Sequence, residues 1–190
     1  MAADRSRWVL YDRGARERIA SFIVKMGETS RVNDAAPTAT VAGWREWIAL
    51  PDLDVPWVKA KLDTGARSSA IHAFDIEEVV RDGVECVSFA IHPWQRSELD
   101  IARAVLPVAD RRVVRSSTGH EEERLVVTTT IRLVGIDVQA ELTLANRDEM
   151  GFRMLVGREA MRGTVLVDPG RSYLGGRPER ATRRKNRGVA

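Results

Sequence analysis

The sequence is short of several residues and patterns on which whole classes of function depend. It has one cysteine, Cys86, in 190 residues. That leaves no internal disulfide and no multi-cysteine zinc site, and it suits a reducing compartment. No apolar run reaches the length of about 18 residues that a membrane-spanning helix needs. The opening Met1-Ala2-Ala3-Asp4-Arg5 leads into mixed charge and not into the apolar block of a secretory signal. A Walker loop for nucleotide phosphates is missing, as are a Gly-x-Ser-x-Gly nucleophile elbow and a His-Glu-x-x-His metal motif. These absences lead us to expect a cytoplasmic protein with no membrane partner and no bound nucleotide.

What the chain does contain is enough apolar material for one folded domain: 44% hydrophobic against 30% charged residues. The net charge is +3 and the isoelectric point about 9.4. Much of that basicity is local. Residues 176–190 hold Arg177, Arg180, Arg183, Arg184, Lys185 and Arg187 against Glu179 alone, which leaves the rest of the chain slightly acidic. A short arginine-rich end without interleaved aromatic rings reads as a solvated, disordered tail. Association with nucleic acid or a ribosome through it stays open.

Residues 1–40 read as an appendage, with an amphipathic helix expected over 13–26 and a linker from Gly27 onward. From Trp44 the signals are those of short strands. Strands are expected at 44–50 and 57–62, around a proline-flanked turn at 51–56. Asp82-Gly83 marks a hairpin turn between strands at 71–80 and 84–91. Ile136, Val138, Ala140, Leu142 and Leu144 alternate with Asp137, Gln139, Glu141 and Thr143, as in a half-buried strand. A short helix fits 157–162 and a last strand 164–167. Turn signals every 8–12 residues or so favour a mostly-β barrel or sandwich.

Metal chemistry has little to draw on. His72, His92 and His120 are the only histidines, and no two stand at ligand spacing. The informative stretch is Lys59-Ala60-Lys61-Leu62-Asp63-Thr64-Gly65-Ala66-Arg67-Ser68-Ser69. There a strand delivers an aspartate into a turn in which Gly65 admits close backbone approach and Ala66 leaves room beside the carboxylate. Some ninety residues later comes Met154-Leu155-Val156-Gly157-Arg158-Glu159, an apolar run and a glycine that open a short helix.

Together the two stretches resemble the retropepsin signature of Asp-Thr-Gly-Ala followed by hydrophobic-hydrophobic-Gly-Arg. The resemblance is closest to the bacterial RimB-like family of retropepsin-like aspartic endopeptidases, a family also labelled as ATP-dependent zinc proteases. It extends to Gly43-Trp44-Arg45-Glu46-Trp47, Ser117-Thr118-Gly119-His120, Asn146-Arg147-Asp148-Glu149-Met150 and Val167-Asp168-Pro169-Gly170-Arg171-Ser172-Tyr173-Leu174. It implies a retropepsin-like closed acid-protease barrel over residues 41–175, with one short C-terminal helix and a β-hairpin flap at 113–130.

The same resemblance implies an aspartic peptidase that needs no cofactor, with catalysis at Asp63, Thr64 and Gly65. Substrate would meet Lys61, Ala66, Arg67, Ser68, Gly119, His120 and Arg158. Two aspartates sharing one proton are required, and the chain holds one Asp-Thr-Gly, so a homodimer is expected. Asp168-Pro169-Gly170 is a weaker second candidate, because Pro169 lacks the hydroxyl that braces the paired loops. Lys61 and Arg67 favour an acidic peptide, in keeping with the family's link to glutamate tails on a ribosomal protein. Lys61 could equally be a charge partner of Asp63. An inactive binding module acting through its basic tail, or a metal-dependent peptidase, are the alternative readings.

Overall fold

The computed structural model describes residues 39–115, 121–147 and 151–188, together with the backbone of 7–9. The helix expected over 13–26 and the flap tip with Gly119 and His120 lie outside the described residues. The chain is mostly β. Its strands are β1 (Arg7–Val9), β2 (Thr40–Gly43), β3 (Arg45–Leu50), β4 (Val55–Asp63), β5 (Ser69–His72), β6 (Phe74–Arg81), β7 (Val84–Ile91), β8 (Ala102–Arg115), β9 (Glu121–Leu133), β10 (Ile136–Ala145), β11 (Met154–Gly157) and β12 (Val165–Asp168). Two short helices, α1 (Arg158–Met161) and α2 (Arg180–Lys185), complete it.

Six strands pair in a circuit that returns to its start: β9, β10, β5, β11, β4, β3 and β9 again. The circuit is thinnest between β3 and β9, joined at the single pair Ala49↔Arg132. Strand β8 continues from β9 as a long hairpin, and β7 and β6 extend that sheet outward. β2 and β12 form a separate parallel pair.

Inside the circuit, Ile48, Leu50, Val58, Leu62, Ile71, Val127, Ile131, Leu133, Leu142, Met154 and Val156 make one buried cluster. Each large aliphatic side chain so buried contributes roughly 1.5–3 kcal/mol relative to exposure. In β4 the two-residue period turns Val58, Ala60 and Leu62 inward and leaves Lys59, Lys61 and Asp63 together on the other face. The core thus sets which way the Asp-Thr-Gly strand presents its aspartate.

Several local expectations needed adjustment. β4 begins at Val55 and takes in Pro56, tolerated near the start of a strand because no ladder N–H is needed there. The strand expected at 71–80 is two strands that part at Ala73: β5 joins the circuit, whereas β6 turns out to pair with β7. Asp82 and Gly83 both have positive φ (51° and 78°), the two-residue hairpin turn their sequence implies. The alternation of β10 holds for its first half only. Beyond Ala140, Leu142, Thr143 and Leu144 are all buried, because β5 and β9 flank the strand there.

Residues 180–185 are helical, not the disordered tail the composition suggested. The Asn186 side chain accepts the Gln95 N–H at 3.0 Å, and Lys185 pairs with Asp100 at 3.0 Å while lying over the Trp94 ring. The loop at 92–101 supplies partners that composition alone does not reveal.

Candidate active site

Asp63 is the last residue of β4, and its turn is organised by its own carboxylate. Oδ1 accepts the N–H of Gly65 at 3.1 Å and of Ala66 at 3.3 Å, the side-chain-to-backbone bonding that aspartate offers a turn. Oδ2 accepts a hydrogen bond from Lys61 Nζ at 3.0 Å. That bond, with the charge of Lys61 and the two backbone N–H groups, holds the carboxyl below the ordinary aspartate value despite partial burial. Of the two roles open to Lys61, the single chain thus has it as the charge partner of Asp63.

The turn rests on β11 and the start of α1. Gly157 pairs with Asp63 across the sheet. A Cβ there would lie 2.5 Å from the backbone carbon and oxygen of Ser68 and 2.7 Å from Arg67 O, so only glycine lets the two segments meet. Gly157 N–H donates to Ser69 Oγ at 3.1 Å. The first N–H groups of α1, those of Arg158 and Glu159, donate to Ala66 O and Arg67 O at 2.9 and 3.2 Å. Helix-start donors that would otherwise lack partners therefore hold the loop. Arg158, expected at the substrate, has its Nη1 on Gly65 O at 2.9 Å, where it braces the turn. Thr64 and Arg67 are exposed, and Ala66 and Ser68 half-buried.

The supporting shell was less legible. Glu46 is fully buried. Its Oε1 accepts the N–H groups of Gly43 (2.6 Å) and Leu174 (2.8 Å), and its Oε2 that of Gly175 (3.1 Å). It clamps the 171–175 segment onto β3. Arg45 lies between the Trp44 and Tyr173 rings, 4.6 and 5.2 Å from their centroids. Leu62 N–H in turn donates to Trp44 O at 2.9 Å, so the clamp reaches the residue before Asp63. The signal was there in Gly43-Trp44-Arg45-Glu46-Trp47, but nothing in it announces burial.

The other candidates stand apart. Asp168 ends β12 in the two-stranded sheet, with Oδ1 accepting the Gly170 N–H at 2.8 Å and Oδ2 3.9 Å from Arg171 Nε. His72 Nδ1 accepts Arg147 N–H at 3.0 Å, which requires that nitrogen unprotonated, whereas His92 Nδ1 lies 3.3 Å from Asp100 O. Among the described residues no three His, Cys, Asp or Glu side chains converge as metal ligands. Among them, too, no helix is long and apolar enough to cross a membrane.

Comparison with known proteins bears on the family and the fold. A family model described as RimB-like, retropepsin-like aspartic endopeptidase, matches residues 41–178. A Shewanella pealeana protein named probable alpha-L-glutamate ligase is 49% identical over 133 residues, covering 70% of this chain and 29% of that protein. One of the same name from Desulfotalea psychrophila is 44% identical over 129 residues, covering 68% and 28%. The chain spans less than a third of the length of these curated relatives. A crystal structure of a Legionella pneumophila protein of unknown function superposes with a TM-score of 0.61 at 24% identity, covering 73% of this chain and 98% of that one. It shares the fold.

Proposed function

The chain belongs to the RimB-like family of retropepsin-like aspartic endopeptidases, and from that premise we propose that it hydrolyses peptide bonds in acidic, glutamate-rich peptides. The observation that carries the reading is the Asp63 turn, seated through Gly157 on β11 and α1. One chain supplies one such turn. Two copies brought together about a two-fold axis would face Asp63 with Asp63, the exposed Thr64 of each loop bracing the other.

Mutual repulsion then keeps one proton on the pair. The ionised carboxylate takes a proton from water, and the oxygen attacks the scissile carbonyl carbon. The protonated carboxyl gives its proton to the carbonyl oxygen. As the resulting gem-diol collapses, the carboxyl that took the water proton gives it to the nitrogen, and the other carboxylate takes back a hydroxyl proton. The C–N bond breaks, and acid and amine leave with the pair again sharing one proton. Lys61 favours the ionised form of its own Asp63 and so opposes the shared proton. The partner aspartate must outweigh it, or a substrate carboxylate must draw Lys61 away from Asp63.

The acidic substrate rests on Lys61 and exposed Arg67 beside the turn, and on relatives named probable alpha-L-glutamate ligase. That name belongs to proteins more than three times as long as the matched region. What it lends this chain is a connection to glutamyl peptides. The cellular setting proposed is the cytoplasm.

The test is cleavage of a peptide carrying an oligoglutamate tail, with and without EDTA, across mixtures of wild type and excess Asp63→Asn. We expect cleavage that ignores the chelator and is suppressed by the mixed dimers. Activity lost with metal removal would instead support a metallopeptidase. An active monomer by light scattering would return Asp168 to consideration.

A further inference from the structure

We propose that Arg147, just beyond the end of β10, is a specificity-determining residue that binds a carboxylate of the substrate beside Asp63. This rests on the reading of the chain as a peptidase for acidic peptides. Arg147 is half-buried, and its Nε is fully buried without a hydrogen-bond partner. Its one bond is through the backbone, from its N–H to His72 Nδ1. Among the described residues no carboxylate meets its guanidinium. Withdrawing a charged donor from water and leaving it unpaired is costly, and native structures seldom do so without a use for the group.

The neighbours sharpen the point. β9 and β10 pair as far as Val126↔Thr143. Past that pair β9 runs toward the flap and β10 toward Arg147, so Arg124 and Arg147 lie at the same end of the ladder. Arg124 is neutralised by Glu122 at 3.0 Å. Burial, then the charge of Arg124, disfavour the charged form of Arg147, and the Asp63 carboxylate within electrostatic reach favours it. Asp63 makes no ion pair with it; its Oδ2 is on Lys61 and its Oδ1 on Gly65 and Ala66. A cation is therefore held at the end of the β9–β10 ladder, within electrostatic reach of Asp63, with no counter-ion among the described residues.

A peptide lying over Asp63 beneath the flap would bring its carboxylates to this place, and guanidinium is suited to take one in a bidentate pair. Lys61 is tied to Asp63, so Arg147 is the better placed of the two to read the substrate. The carboxylate could belong to a glutamate side chain or to the peptide's C-terminus. The chemistry is the same.

The test is calorimetric binding of hexaglutamate, hexaglutamate amide and hexaglutamine to the full chain, using Asp63→Asn so that nothing is cleaved. Adding Arg147→Gln should weaken hexaglutamate binding about ten- to a hundredfold and leave hexaglutamine binding unchanged. Arg147→Lys should retain most of the preference. If the amide binds like the acid, a side-chain carboxylate is the ligand; if amidation alone removes the preference, it is the C-terminus. Thermal unfolding separates this from a structural role: removing an unpaired, half-buried charge should leave the midpoint unchanged or raise it. Equal hexaglutamate affinity in Asp63→Asn with and without Arg147→Gln, or a fall of many degrees or failure to fold on adding Arg147→Gln, would overturn the proposal. Binding needs no turnover, so absence of cleavage by the otherwise wild-type chain would sink the peptidase reading and leave this comparison standing.

Discussion

Two Asp-x-Gly turns occur in the described chain, one after β4 and one after β12, and their local chemistry is nearly the same. Each aspartate ends a strand, and each sets an Oδ1 against the N–H of the glycine two residues on, at 3.1 Å for Asp63 and 2.8 Å for Asp168. A Cβ added at the glycine would in both cases meet chiefly its own aspartate oxygen, 3.2 Å away at Gly65 and 3.3 Å at Gly170. They part in what surrounds them. The Asp63 turn has Ala66 as a second donor, Lys61 on the other oxygen, and Gly157 with the start of α1 beneath it. The Asp168 turn has Pro169, which offers neither hydroxyl nor N–H, and a loose ion pair with Arg171. An Asp-x-Gly turn is thus a local motif that many chains can make. A platform built from a segment ninety residues away distinguishes the first from the second.

The sharpest way to break this contrast is to remove each carboxylate while keeping its shape. Asp63→Asn should lower the rate of oligoglutamate cleavage by at least about a thousandfold. Asp168→Asn should change it less than about twofold, since asparagine still accepts the Gly170 N–H and an exposed ion pair contributes little. Steady-state kinetics on the two purified variants decide it. Equal losses would make the second turn part of the site.

A smaller effect tests the platform. Gly157→Ala puts a methyl against backbone that cannot swing aside, an overpacking that costs roughly 1–3 kcal/mol. Displacing the loop by a fraction of an ångström to 1 Å should cost up to about a hundredfold in rate. Gly170→Ala meets only a side-chain oxygen and should alter neither the thermal midpoint nor the rate appreciably. If both substitutions behave alike, the support under Asp63 is not what separates the turns.

The smallest effect concerns charge. Because Asp63 titrates below its ordinary value, its pairing adds stability above the unfolded-state pKa, and that contribution disappears as pH falls through the folded value. Lys61→Met removes the largest cause of the depression. The Asp63 carboxyl, followed by NMR, should then titrate at higher pH. The variant should be less stable than wild type at neutral pH by no more than about 1 kcal/mol, and equally stable once the pH is below both values. Arg171→Met should leave the Asp63 titration where it is. A Lys61→Met titration no higher than that of wild type would remove Lys61 from the account of the turn.

Much of this protein is written along the chain itself. Alternation in β4 sets Lys61 and Asp63 on one face, Asp82-Gly83 makes its hairpin, and Asp63-Thr64-Gly65 forms its own turn, because each depends on neighbours within a few residues. Leu155-Val156-Gly157-Arg158 could be recognised as belonging with that turn, but the sequence does not say that the Arg158 guanidinium bonds Gly65 O. Other features needed the assembled fold. Glu46 becomes a buried clamp only once residues 171–175 cross β3. The strand expected at 71–80 divides because its halves pair with different strands, β5 with β10 and β11 and β6 with β7. The basic end becomes a docked helix because the 92–101 loop offers it Gln95, Trp94 and Asp100. Arg147 is one basic residue among thirty until the fold leaves it half-buried at the end of β10, with no carboxylate on its guanidinium among the described residues. Backbone periodicity and turn chemistry are short-range and survive in a linear reading, whereas desolvation and charge pairing depend on which distant residues arrive, and that is decided only when the sheet closes.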